Sequence, residues 1–130
     1  MNLIQGETTD KVLRAFFDVY NELGYGCLEN IYQRALAHRL RSLGAEVQME
    51  AGIDVMFDDV VMGQYRADLI VDQLVLIEVK TARRIVHDHE SQLLHYLKST
   101  RIEVGILLNF GERPQFKRLV FSNEAKDSRG

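Results

Sequence analysis

The chain has 130 residues, 46% apolar and 27% charged, with one proline and nine glycines, which bounds it to a single globular domain without a low-complexity linker. No apolar run approaches the roughly 18–20 residues that span a bilayer, and "MNLIQGETTDK" lacks the basic start and apolar stretch of a secretory signal. The lone Cys27 excludes an internal disulfide and a cysteine-ligated zinc or iron–sulfur centre within one chain, and it fits a reducing, cytoplasmic setting.

The net charge of −3 argues at first against a polyanionic partner, but its distribution is uneven. Residues 1–79 hold 6 Lys/Arg and 13 Asp/Glu, residues 80–118 hold 8 and 4, and the last twelve are neutral. The sign changes at Lys80, as an acidic pocket beside a basic rim would produce.

In chain order, "TTDKVLRAFFDVYNELG" places Val12, Phe16, Val19, Tyr20 and Leu23 at helical spacing, with Thr8 or Thr9 as the expected cap and Gly24 as the stop. A second helix is expected through Leu28, Ile31, Ala35, Leu36, Arg39, Leu40 and Leu43, ending at Gly44. Val47, Met49, Ala51, Ile53, Val55 and Phe57 alternate as a half-buried strand, with a bend expected at Gly52. "DDVVMG" reads as a turn with flanking strand, and "QYRADLIV" and "LVLIEVK" as two further strands. Gln92, Leu93, Tyr96 and Leu97 fit a helix over about 87–99. "EVGILLNF" is the near-continuous run of a strand covered on both faces, and "FKRLVF" an edge strand. The order α, α, β, β, β, α, β, β predicts an α/β fold, a mixed β-sheet flanked by helices. It forms one domain over 1–122, followed by a frayed polar tail, 123–130.

The chemistry gathers at the end of "LVLIEVK". Glu78 and Lys80 are two apart on a strand and share a face. If this strand pairs with "YRADLIV", Asp68 lies opposite Glu78 or close to it. A two-residue loop would send Glu78 to the other face, so a shared site demands an odd loop such as Asp72–Gln73–Leu74, or a bulge. Two carboxylates and an ammonium on one face repel or protonate unless paired. A divalent cation removes the conflict, and hard oxygen donors suit Mg²⁺ or Mn²⁺. Lys80 would then position water and stabilise developing negative charge.

Asp68 followed by Glu78–Val79–Lys80 resembles the PD-(D/E)XK nuclease motif, with Ala67 where a proline is common. "GCLENIY" (Gly26, Glu29, Tyr32) resembles the signature of the GxxExxY protein family, and "QLLHY" (Gln92 to Tyr96) the QxxxY motif of the exonuclease-like branch. The resemblance covers roughly residues 8 to 121. It implies a restriction-endonuclease-like fold with an αβββαβ core and an extra N-terminal helix. It also implies catalytic roles for Asp68, Glu78, Lys80 and Gln92, a metal site of Asp68, Glu78, the Val79 carbonyl and Glu29, and support from Gly26, Tyr32 and Tyr96.

Tyr32 is expected to pack and orient Glu29, and Tyr96 to position groups or stack on a base. Arg83, Arg84 and Lys98, with Arg101, Arg113, Lys117 and Arg118, are candidates for a phosphate-binding rim. His87 and His89 read as a solvated helix cap, His95 as packing, and Cys27 as no thiol enzyme. The expected function is Mg²⁺-dependent hydrolysis of nucleic acid, DNA before RNA, with an oligomer or protein partner raising affinity. The alternatives are a non-catalytic binding module on the same fold, or hydrolysis of a small phosphoester.

Overall fold

The structure, a computed structural model, describes residues 3–128. The first helix, α1 (Gly6–Leu23), begins before the expected threonine cap. Gln5 takes the cap position at φ 55°, and the helix closes through backbone bonds such as Thr9 N–H to the Gln5 carbonyl at 2.9 Å. Thr8 and Thr9 are instead buried on the inner face, beside Val12, Ala15, Phe16 and Val19. Gly24 ends the helix at φ 66°, as expected.

The second helix, α2 (Glu29–Ser42), buries Tyr32, Gln33, Leu36, Ala37 and Leu40. The expected inner face was off at Leu28, Ile31 and Arg39, which are exposed. Tyr32 displaces the first two: its ring lies 4.0 Å from that of Phe110, nearly parallel at 12°. The helix ends in a Schellman motif, with Ala45 N–H bonded to the Leu40 carbonyl and Gly44 N–H to the Arg41 carbonyl, both at 3.0 Å. Gly44 supplies the required positive φ of 88°.

Five strands follow: β1 (Val47–Phe57), β2 (Val60–Val71), β3 (Val75–Lys80), β4 (Val104–Phe110) and β5 (Pro114–Val120), lying side by side in chain order. Only β3 and β4 are parallel, and α3 (His87–Lys98) supplies the crossover between them. On one face α1 and α2 cover Val71, Val75, Ile77, Val79, Ile106 and Leu108. On the other, Leu93 and Leu97 of α3 cover Leu76 and Leu107. Helix and sheet meet closely here, for a Cβ on Gly105 would stand 2.9 Å from a Leu93 methyl.

The expected alternation of β1 holds only in halves. Val47 and Met49 pack with α1 and α2, whereas Ala51 and Ile53 pack toward α3. The bend lies at Glu50, at φ 52°, and not at Gly52. A glutamate in the left-handed region is strained. Glu50→Gly is therefore expected to raise stability by up to about 1 kcal/mol; an unchanged or lower melting temperature would show that the backbone is relaxed there. Phe57, assigned above to the same buried face, is exposed.

The expected frayed tail is ordered as far as it is described, with residues 129–130 outside the described residues. Asn123–Ser128 form a short helix, α4. Asp127 pairs with Arg101 at 2.8 Å, and the Lys126 ammonium donates to the Thr100 and Ile102 carbonyls, each at 2.8 Å.

Candidate active site

The connection between β2 and β3 decides the site. Val71 pairs with Val75, which leaves the three-residue loop Asp72–Gln73–Leu74. Asp72 and Gln73 both take positive φ, 54° and 60°. The loop is odd, so Asp68 and Glu78 fall on one face. The ladder ends at Leu69–Ile77, and the Asp68 carboxylate then accepts the Val79 N–H at 2.7 Å. The side chain thus takes the strand's next donor, which fixes Asp68 beside Glu78.

Glu78 is buried, 7% exposed, and its Oε1 has no hydrogen-bond partner among the described residues. Burial pushes its carboxyl up to about 8, against the pull of Lys80 and with a further push from Glu29. Burial also raises Asp68, opposed by the Val79 N–H and by Lys80. Glu29, at the start of α2, is raised by burial and by the charge of Asp68, with Lys80 opposing. Glu29 therefore senses Asp68, Glu78 senses Glu29, and all three carboxylates, from α2, β2 and β3, sense Lys80.

Gln92 and Tyr96 reach the same place from α3. Burial and the charge of Glu78 raise the Tyr96 hydroxyl, opposed by a hydrogen bond with Gln92. Tyr32 packs as expected, and it acts on Glu29 only through the backbone: its hydroxyl donates to the Gly24 carbonyl at 2.6 Å and accepts the Cys27 N–H at 3.1 Å. It locks the turn in which Gly26 takes φ 104°, and so fixes where α2 and Glu29 begin.

Several cations of the expected basic rim have partners within the chain. Lys98 lies over the Phe121 ring at 5.5 Å, Arg101 is paired with Asp127, Lys117 lies 3.9 Å from Glu90, and Arg118 donates to the Ile4 carbonyl. Arg83 and Arg84 stand on the exposed stretch that follows β3. His87 and His89 bond within the first turn of α3, to Ser91 and to the Val86 N–H, as a cap would.

Sequence reasoning missed four residues around the site. Gln33, buried in α2, donates to the Asp68 carbonyl at 2.9 Å. The register sets Glu50 across from Asp68, between the pairs Met49–Leu69 and Ala51–Ala67. Tyr65 stacks on Tyr96 at an interplanar angle of 13°. Asn109, next to Lys80 in register, accepts the Ala82 N–H and donates to the Ala82 carbonyl, both at 2.9 Å. A polar residue inside the run "GILLNF" was the one available signal.

Among the described residues no three His, Cys, Asp or Glu side chains are grouped so that they could together hold a metal ion. Asp68 and Glu78 nevertheless offer hard oxygen donors, one of them buried without a partner. That suits a cation such as Mg²⁺, which takes one or two carboxylates and keeps its waters.

No curated protein matches the sequence. Two solved structures share the fold. SSO0001 is 23% identical, with a TM-score of 0.58, over 94% of this chain and 66% of that one. An alkaline exonuclease, LHK-Exo from Laribacter hongkongensis, is 11% identical, with a TM-score of 0.55, over 99% of this chain and 75% of that one. The chain thus spans about two thirds to three quarters of the structures it resembles. The sequence itself matches the profile of one family over residues 6–119, nearly its whole length. The match is at superfamily level, and the GxxExxY assignment stays a resemblance carried by Gly26, Glu29 and Tyr32. The chain belongs to the PD-(D/E)XK nuclease superfamily.

Proposed function

We propose that the protein is a divalent-metal-dependent nuclease that hydrolyses phosphodiester bonds, with DNA as the preferred substrate and the cytoplasm as its setting. The observation that carries this reading is the convergence of Asp68, Glu78 and Lys80 on one face, with a Glu78 oxygen buried and unpartnered. Asp68 and Glu78 would hold Mg²⁺ or Mn²⁺, with the Val79 carbonyl and Glu29 as further donors. When bound, the cation lowers the pKa of its water and neutralises phosphate charge. Lys80 holds the attacking water and stabilises charge on the phosphoryl oxygens. Gln92 and Tyr96 orient that water in line with the leaving oxygen, and Arg83 and Arg84 hold flanking phosphates.

The test is cleavage of labelled DNA and RNA oligonucleotides, single- and double-stranded, with Mg²⁺, Mn²⁺ or EDTA. Cleavage is expected only with a cation. It should fall by about a hundredfold in Lys80→Ala, while calorimetry still shows Mn²⁺ binding. Cation-dependent cleavage that survives Lys80→Ala, or a wild type that takes up no Mn²⁺, would remove the basis for this assignment.

A further inference from the structure

The β1–β2 hairpin runs well past the part of β2 that pairs with β3, which reaches only Leu69. Its outer part carries Met56, Phe57, Val60, Val61 and Met62, each between 49% and 66% exposed. Five neighbouring large apolar side chains in water are a costly surface for a chain to keep, and they mark a contact site. The turn between them, Asp58–Asp59, has both residues at positive φ, 52° and 59°. Residues 54–64 hold three acidic residues (Asp54, Asp58 and Asp59) and no basic one, while Glu50, nearer the site, lies 3.9 Å from Arg66. An acidic tip is repelled by nucleic acid and by an anionic membrane surface, so the apolar patch faces a protein.

The opposite edge of the sheet has the complementary character. Residues 113–120 hold Arg113, Lys117 and Arg118 and no acidic residue. Phe116 and Val120 are exposed there, with Phe17 of α1 against Phe116. Beside them lies an open cleft of about 370 Å³ between α3 and β5, lined by Ile85, Glu90, Pro114, Gln115, Phe116 and Lys117. Glu90 is the single acid in this lining, and it lies 3.9 Å from Lys117.

We infer that the occupant of each surface is a second copy of this chain, the acidic apolar hairpin of one copy seating on the β5 edge and cleft of the next. Pairing hairpin to hairpin would bring six carboxylates together, and charge therefore selects the head-to-tail arrangement. Such a contact is heterologous: it closes into a ring or dimer when the rotation allows, and each copy uses both surfaces.

The experiment is sedimentation velocity on the whole chain over a concentration series and at two salt concentrations. Wild type should associate, and less so at high salt. A hairpin variant, Phe57→Ser with Val61→Ser, and a cleft variant, Arg113→Glu with Lys117→Glu, should each sediment as monomers. Both alter exposed or half-exposed positions, and circular dichroism checks that each still folds. An equal mixture of the two should form a heterodimer, because it retains one intact hairpin and one intact cleft. Wild type that remains monomeric at about 100 µM, or a mixture of folded variants that stays monomeric, overturns the inference. Wild-type association that either variant leaves intact does the same.

Discussion

Glu78→Gln is expected to stabilise the cation-free protein by about 4 kcal/mol at pH 8 and to change it little at pH 4. The folded carboxyl sits near 8 against an ordinary value of 4.5, because burial disfavours its charged form. The folded state therefore binds this proton more tightly than the unfolded chain does. The stability so gained is fully present below about pH 4.5 and drains away as the pH climbs through 8. Glutamine does not ionise, so the variant escapes the loss. Asp68 and Glu29 are raised too and add in the same direction.

The cation should act with the opposite sign on the wild type. Saturating Mn²⁺ stabilises the charged carboxylate, flattens the alkaline decline and adds stability by mass action. Glu78→Gln should gain little from Mn²⁺ and should not cleave. Urea midpoints in EDTA and in Mn²⁺ read all of this. A wild type whose stability in EDTA stays flat between about pH 5 and pH 9 would contradict the proposed burial of charge.

Asn109→Ala should cost about 2–4 kcal/mol and also impair cleavage, although Asn109 is not a proposed catalytic residue. Its amide is wholly buried and holds both backbone groups of Ala82. Removing it orphans a donor and an acceptor at the point where the chain leaves β3, two residues after Lys80. The packing is close on the other side as well, since a Cβ on Gly111 would stand 2.8 Å from the Ala82 carbonyl oxygen. Hydrogen exchange at the Ala82 amide, together with a thermal melt, separates a released loop from general loosening. A variant as stable as wild type, with Ala82 still protected, would show that the amide pair does not hold the loop.

The order of the first eight elements and the shared face of Glu78 and Lys80 were legible because each rests on local periodicity, whereas the odd loop was legible only as the condition that a shared site with Asp68 imposes. Val75, Ile77 and Val79 face one way, Leu76, Glu78 and Lys80 the other, and no tertiary contact is needed to know it. The failures have a common cause. Thr8, Leu28 and Phe57 have ordinary local credentials as a cap, a helix-face residue and a strand-face residue, but burial is settled by what arrives from elsewhere. Tyr32 fills the space that Leu28 and Ile31 were assigned, because Phe110, 78 positions later, lies beneath it. The face switch at Glu50 is a backbone dihedral, which residue type conceals when the residue is not glycine. Asn109 was hidden for a different reason: its partner is main chain, and main chain leaves no mark in a sequence.

Gly105 has a consequence at a distance. Leu93, which presses on it, lies on α3 between Gln92 and Tyr96, while Glu78 sits on the strand next to Gly105's own. The clearance between the two halves of the proposed site is therefore set by a position that touches neither. A missing methyl group acts as the gauge for that gap. Misplacement by about 1 Å can cost a hundredfold in rate, so a slightly thickened core would silence the chemistry well before it unfolded the domain. For the proposed chemistry, fidelity is a manufacturing tolerance of the hydrophobic interior, and damage to the interior would register first as lost turnover.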